Sequence, residues 1–125
     1  MKRVVITGAG TVNALGLCVS ATLQAMREGR SGITDLEFRD VDRLAIKIGG
    51  QIHNWDTESR FNRQQIVLYD RFTQFALTAA KEAIEQSGLE FVGELATRSG
   101  VILGTSGGGL TTQDDNYRMV YEEGK

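Results

Sequence analysis

The chain of 125 residues is short of several residue types: it has one cysteine, one histidine and no proline. One cysteine excludes an internal disulfide, and one cysteine with one histidine cannot supply the soft ligands of a structural zinc site. Its 14 basic and 16 acidic side chains form no basic stripe, which argues against a nucleic-acid partner. No apolar run approaches the roughly 20 residues that a membrane helix requires. We therefore expect no metal, no cofactor and no membrane insertion.

The N-terminus lacks the features of a secretion signal. The basic start is followed by only three apolar residues, 4–6, before the glycine-rich stretch begins, whereas the apolar region of a signal peptide has 7–15 residues. A lone cysteine is also compatible with a reducing compartment. We expect the protein in the cytoplasm.

Glycine is the residue in excess: the chain has 15, where average composition gives about nine. Glycines punctuate a series of short periodic segments, and the order of strand, glycine loop and helix predicts an α/β fold. Gly29 and Gly88 follow helical patterns and are predicted to end them in the left-handed conformation. The predicted elements are a strand at 2–6, a helix at 18–27, a strand within 44–52, a turn or short helix at 56–63, a helix at 70–87, a strand at 99–103 and a weakly amphipathic helix at 110–123.

The segment 70–87 gives the clearest helical pattern. Phe72, Phe75, Ala76, Ala79 and Ala83 recur at the spacing of one helix face. Because alanine is small, this face is predicted to pack closely against a sheet or a second helix. Two predicted strands cannot cover such a helix and bury a parallel sheet, so the inventory indicates half a sheet and an incomplete fold.

Two glycine motifs invite a nucleotide-binding interpretation, and both fail. In the first, residues 8–16, a dinucleotide fingerprint needs glycine at Asn13, or at Val12 and Ala14 in its related form. The second, residues 104–109, lacks the lysine of a phosphate-binding loop, since Leu110 and Thr111 follow it. Two roles remain open for the second motif. It is a tight turn from strand to helix, or a cavity wall that leaves room for a long apolar chain.

The isolated residues of catalytic type form no recognisable constellation. Cys18 lies between apolar neighbours near a helix start, which favours a packing role. His53 is predicted to have a structural or surface role, and no spacing links it to Cys18. Ser106 has no basic partner at a recognisable spacing, so a serine nucleophile is not supported.

Four blocks of sequence together carry a family resemblance. They are residues 2–16 (KRVVITGAG, then LG), 27–34 (REGRSGIT), 70–89 (DRFTQFALTAA, then SGL) and 100–110 (GVILGTSGGGL). In this order and spacing they resemble the N-terminal segment of the β-ketoacyl-acyl-carrier-protein synthases, the elongating condensing enzymes of fatty acid and polyketide synthesis. Residues 35–65 are only loosely similar.

The resemblance implies a thiolase-like fold of layered αβαβα architecture, of which this chain holds the N-terminal part, and a homodimer that acts on acyl carrier protein. It implies an acyltransferase whose nucleophilic cysteine and two histidines lie downstream, so residues 1–125 are expected to lack catalytic residues and to be inactive alone. Ser106, Gly107 and Gly108 match positions beside the acyl pocket. Gly107 matches a position that some members fill with a bulky apolar side chain. A non-catalytic partner subunit of the same fold, of the chain-length-factor kind, is the alternative.

Overall fold

The computed structural model describes residues 3–125 and contains both helices and strands, which agrees with the mixture of the two that the sequence predicted. The strands form one antiparallel pair, in which Ile33 faces Gly50 and Asp35 faces Ile48. The layered arrangement stays a prediction, since the described residues hold a single two-stranded sheet. The elements are α1 (Val19–Arg27), β1 (Ile33–Asp35), a 3-10 helix (Val41–Arg43), β2 (Ile48–Gly50), α2 (Arg63–Leu68), α3 (Arg71–Ser87), α4 (Gly93–Arg98) and α5 (Leu110–Tyr121).

Helix α3 is the longest element and contacts the N-terminal loop. Its predicted bounds are confirmed: Asp70 is the N-cap, and Gly88 ends the helix with φ +64°, a conformation that suits glycine. Helix α1 ends in the same way, with Gly29 at φ +65°. The predictions of α1 and α5 are also confirmed, whereas the short helices α2 and α4 were not predicted.

The alanine face of α3 packs against a glycine loop rather than against a sheet or a helix. A Cβ atom on Gly8 would overlap the carbonyl oxygen of Ala83, and one on Gly10 would overlap that of Ala79. Small residues on both sides therefore let two backbones approach closely. Gly8 and Gly10 of the first motif provide this contact.

Polar groups on α3 hold the same loop in place. The Ala9 amide donates to Gln86 Oε1 at 2.6 Å. The Glu82 carboxylate accepts from the Thr11 amide at 3.0 Å and from the Val19 amide, in the first turn of α1, at 2.7 Å. Hydrogen bonds to a charged acceptor contribute about 1.5–3 kcal/mol each. Glu82 thus joins the loop, α1 and α3.

Gln74 is the buried polar residue of α3, with 6% of its surface exposed. Its Oε1 accepts from Trp55 Nε1 at 2.9 Å and from the Thr57 hydroxyl at 3.2 Å, and its Nε2 donates to the Tyr69 carbonyl at 2.9 Å. The side chain therefore ties the segment before α2 and the junction of α2 with α3 to one point of α3.

We expect Gln74→Leu to lower the free energy of unfolding by about 3 kcal/mol. The substitution leaves two donors, Trp55 Nε1 and the Thr57 hydroxyl, and one acceptor, the Tyr69 carbonyl, without their partner. Urea unfolding measures the loss. Gln64→Leu, on the exposed surface of α2, is the matched control and is expected to change stability by less than about 0.5 kcal/mol. Equal losses in the two variants would show that the Gln74 hydrogen bonds contribute nothing.

The strands predicted at 2–6 and 99–103 do not form in the described residues. Val4 is 97% exposed and Ile102 is fully exposed, and neither segment is paired; Lys2 lies outside the described residues. A strand needs a neighbouring strand to satisfy its backbone groups, and the described residues provide none for these segments. The predicted strand at 44–52 is shorter than expected, since only Ile48–Gly50 pairs.

The exposed surface is far larger than that of a self-contained domain. The chain exposes 10361 Å², whereas a monomeric protein of 13.7 kDa exposes roughly 6,600 Å². In residues 3–125, Ala25 is fully buried, but no large apolar side chain is. The described residues therefore form a scaffold with an unfinished core, as the half-sheet inventory predicted. Among them, no helix has both the length and the apolar character to span a bilayer.

Candidate functional site

The glycine segment 104–109 joins residues 99–103 to α5. The Gly108 amide donates to Thr105 Oγ1 at 3.1 Å, and the Leu110 amide donates to the Gly108 carbonyl at 3.2 Å. Gly109 is the N-cap of α5, and its carbonyl accepts the Gln113 amide at 3.0 Å. The segment is therefore a tight turn into a helix; the strand that was predicted before this turn does not form in the described residues. A role as a cavity wall is compatible with this geometry and stays a prediction.

The predicted site residues lie together at the surface of this turn. Ser106 and Gly107 are exposed, and Gly108 is half-buried. The segment lacks the lysine that a phosphate-binding loop uses. Ser106 has no histidine or lysine among its hydrogen-bond partners in residues 3–125. Chemically, the turn offers space and backbone rather than an acid, a base or a nucleophile.

The last three glycines of the segment differ in what they tolerate. At Gly109 a Cβ would overlap the carboxylate of Asp70, so a side chain there requires the Asp70 side chain to move. Gly108 has φ +63°, a left-handed conformation that other residues rarely adopt. Gly107 has neither restriction: a Cβ there would lie 3.4 Å from Cδ1 of Leu110, an ordinary contact. Of these three positions, 107 is the one where a side chain fits.

A groove of about 600 Å³ runs beside the start of α5. Its walls come from residues 37–39, from the corner between α2 and α3, and from the first turns of α5. Residues 106–108 do not line it, so the structure does not bring the predicted wall and this groove together. Phe38, Val67 and Leu68 give the groove an apolar part, and Arg39 and Asp115 pair across one end at 2.7 Å.

Ion pairs hold α5 against the turn before the 3-10 helix. Arg118 lies 3.1 Å from Asp114 on its own helix and 3.3 Å from Asp40, which precedes Val41–Arg43. The hydrogen bond that Arg118 donates to Asp114, and then the charge of Asp114, raise the pKa of Arg118, with Glu122 and Asp40 adding to the effect. Since arginine is already cationic at any ordinary pH, this link persists throughout the physiological range.

Cys18 is the N-cap of α1 and is half-buried rather than packed in a core. Its Sγ lies 3.2 Å from the Ser20 hydroxyl. That hydrogen bond, and a further one from the Ala21 amide, lower the pKa of the Cys18 thiol, against a small opposing effect of burial and of Glu82. Cys18 thus lies outside a core among the described residues, and a packing role for it stays a prediction.

We expect Ser20→Ala to raise the pKa of Cys18 toward the ordinary thiol value. The thiolate fraction at pH 7.5 then falls, and alkylation by iodoacetamide slows about threefold. The pH dependence of the alkylation rate measures both. Thr22→Ser, which keeps a hydroxyl one turn away, is the control; an unchanged profile in Ser20→Ala would contradict the assignment.

His53 has a structural setting, as predicted. Its Nε2 lies 2.9 Å from the Thr34 hydroxyl, and its Nδ1 lies 3.3 Å from Glu37 Oε2. The imidazole thereby links the segment after β2 to β1. In residues 3–125 no three His, Cys, Asp or Glu side chains come together as the ligands of a metal ion would.

Two residues next to the site were missed by sequence reasoning. Asp70 and Phe72 belonged to the helical pattern of α3, and nothing in their spacing indicated that they lie beside residues 108 and 109. The contact is visible only in the folded structure, which brings α3 and the turn together. Asp70 opened the segment predicted as a helix, and nothing marked it as the neighbour of Gly109.

Comparison with known proteins gives consistent matches over the whole chain. The sequence model of the family described as "Beta-ketoacyl synthase, N-terminal domain" matches residues 1–125. A protein named 3-oxoacyl-[acyl-carrier-protein] synthase 2 from Staphylococcus aureus (strain N315) is 31% identical over 123 residues, which cover 98% of this chain and 30% of the relative. The proteins of that name from Vibrio cholerae and Vibrio harveyi are 32% and 31% identical over the same length and coverage. The chain thus spans about 30% of the length of these curated relatives.

Proposed function

The chain belongs to the β-ketoacyl synthase family, through its N-terminal domain, and from this premise we propose that it is a segment of a 3-oxoacyl-acyl-carrier-protein synthase. The observation that carries the proposal is an alignment that covers 98% of this chain, at 31% identity, with a relative of that name. The activity concerns the intact protein. Residues 1–125 contribute scaffold and pocket wall and are inactive alone.

The reaction we propose is a decarboxylative Claisen condensation in fatty acid synthesis. An acyl group is held as a thioester on a cysteine. Malonyl-carrier protein loses carbon dioxide as its C–C bond breaks, and the electron pair left on carbon attacks the thioester carbonyl. The C–S bond then breaks, so the thiolate leaves and the 3-oxoacyl group remains on the carrier protein. No resident cofactor takes part.

Neither Cys18 nor His53 is proposed for this chemistry. Cys18 is hydrogen bonded to Ser20 at the start of α1, and His53 lies between Thr34 and Glu37. No contact joins the two side chains among the described residues. We propose that the nucleophilic cysteine and two histidines lie in the remainder of the protein, downstream of residue 125.

The exposed apolar segments support the proposal that residues 1–125 are completed by a further part of the protein. Residues 4–6 and 101–103 carry β-branched and leucine side chains that are at least 63% exposed. In the intact protein we propose that they join further strands, which completes the layered thiolase-like fold and buries part of the excess surface. A homodimer in the cytoplasm that acts on acyl and malonyl carrier proteins completes the proposal.

Within this protein, Ser106, Gly107 and Gly108 are proposed as a wall of the acyl pocket. Their support is geometric: the turn exposes backbone, and the side of Gly107 is open beyond its contact with Leu110. An apolar acyl chain gains about 0.8 kcal/mol for each methylene it buries. A wall without side chains leaves the room for such burial.

The test is a condensation assay of the full-length protein with malonyl-carrier protein and acyl-carrier proteins of increasing length. We expect release of carbon dioxide and formation of 3-oxoacyl-carrier protein. A folded protein that forms no product alone, but forms it with a second subunit, would indicate the chain-length-factor-like alternative. A folded protein that forms no product under either condition would overturn the proposed family activity for this chain.

A further inference from the structure

The first turn of α3 lies directly beside the glycine segment. Cζ of Phe72, the tip of its ring, lies 4.0 Å from the position that a Cβ atom would take on Gly108. Apart from Gly108 and its chain neighbours, no other described heavy atom lies within that distance. The ring therefore reaches toward bare backbone, and it is the side chain that bounds the space on this side of the turn.

Asp70, the N-cap of α3, lies against the same turn. A Cβ atom on Gly109 would overlap the Asp70 carboxylate, so the side chain of Asp70 fills the space beside residue 109. Positions 108 and 109 therefore both face the start of α3. At position 108 the facing side chain is that of Phe72, and its size affects how much space lies behind Gly108.

Hydrogen bonds anchor the N-terminal part of α3 to neighbouring segments. Gln74, two residues after Phe72, is buried; it accepts a hydrogen bond from the indole of Trp55 and donates one to the carbonyl of Tyr69. Phe72 itself keeps 36% of its surface exposed. One part of its ring faces Gly108, and another part is free to contact a ligand or a later part of the chain.

We propose that Phe72 is a specificity-determining residue, whose ring sets the depth of the acyl pocket behind Gly108. The inference rests on the proposed function and deepens it, since it adds a residue from α3 to a wall otherwise made of residues 106–108. It applies to an apolar acyl chain, because the groups that meet here are an aromatic ring and glycine backbone.

The ring tip allows substitutions of opposite effect. Phe72→Leu shortens the side chain and opens space behind Gly108, so kcat/KM for longer acyl chains is expected to rise relative to shorter ones. Phe72→Tyr adds a hydroxyl at Cζ, the atom that faces Gly108, so the ratio is expected to fall. Changes of about tenfold are expected, because one methylene in an apolar pocket alters discrimination by about 10–200-fold.

The matched control is Phe91→Leu, which makes the same substitution beyond the other end of α3. The helix has 17 residues and so spans about 25 Å. We expect this variant to keep the wild-type chain-length profile. The three variants and the wild type are compared as full-length protein, with the same series of acyl-carrier proteins.

Amide hydrogen exchange at residues 105–113 provides a readout that does not depend on catalysis. Phe72→Leu is expected to speed exchange at Gly108 and Leu110, whereas Phe91→Leu is not. If the wild type shows no condensation, the proposed function fails while exchange still tests the contact. If Phe72→Leu does not fold, the conservative Phe72→Tyr variant alone decides through its shift toward shorter chains.

The outcomes divide clearly. Shifts of chain-length preference in opposite directions in Phe72→Leu and Phe72→Tyr support the proposal. Shifts in the same direction, an unchanged profile in both, or an equal shift in Phe91→Leu would overturn it. Altered exchange with an unchanged chain-length profile would also overturn it, because Phe72 would then only hold the turn.

Discussion

A methionine in place of Gly107 is expected to lower kcat/KM for the longest acyl chains at least about tenfold relative to the shortest. The reason is that a change of one methylene in an apolar pocket alters discrimination between substrates by about 10–200-fold. The backbone at position 107 accepts a side chain, and its Cβ makes an ordinary contact with Leu110 at 3.4 Å. The rest of the methionine side chain must then extend into the space beside the turn. Acyl-chain profiles of the full-length enzyme measure the effect.

A graded series at the same position separates this effect from damage to the fold. Gly107→Ala adds one methyl group and is expected to give a smaller shift than Gly107→Met. Gly104→Ala, in the same segment but with no atom within 4 Å of the new Cβ, is the control and is expected to leave the profile unchanged. Unchanged chain-length preference in Gly107→Met would exclude position 107 from the pocket wall.

The substitution Gly10→Ala is expected to lower the free energy of unfolding by about 3 kcal/mol, the upper part of the usual range for overpacking. The added methyl group would overlap the carbonyl oxygen of Ala79. A flexible side chain could turn away, but a backbone carbonyl in the middle of α3 cannot move without bending the helix. Loss of the close approach would also stretch the hydrogen bond from Thr11 to Glu82.

Gly50→Ala is the matched control for this experiment. Its new Cβ would lie 3.7 Å from that of Ala14, an ordinary contact, and its φ is not left-handed. We expect a change within about 1 kcal/mol, partly because alanine restricts the unfolded chain. Urea unfolding of the three proteins measures the difference. Equal stability of Gly10→Ala and Gly50→Ala would mean that the loop does not lie on α3 as described.

The longer helices α1, α3 and α5 were predictable from sequence because their signals are local. The period of apolar residues over 70–87 placed α3, and glycine at positions 29 and 88 marked the ends of α1 and α3. Each signal depends on residues within a few positions of one another. The family could likewise be identified from short blocks in a fixed order, before any contact was known.

Strands were less predictable because their stability depends on partners that are distant in sequence. Residues 2–6 and 99–103 have the composition of buried strands, and the described parts of both remain unpaired and exposed. Composition indicates that these residues favour burial. It does not say which chain segment covers them, and among the described residues no segment does.

By itself, the sequence determined the mixture of helix and strand, the positions of α1, α3 and α5, the incomplete core and the glycine segment that includes Ser106, Gly107 and Gly108. Only the tertiary structure decided which groups these glycines meet, since the carboxylate beside Gly109 belongs to Asp70, 39 positions earlier in the chain. The physical reason is that helix periodicity and glycine content act over a few residues. Steric exclusion acts between whichever atoms the fold brings together.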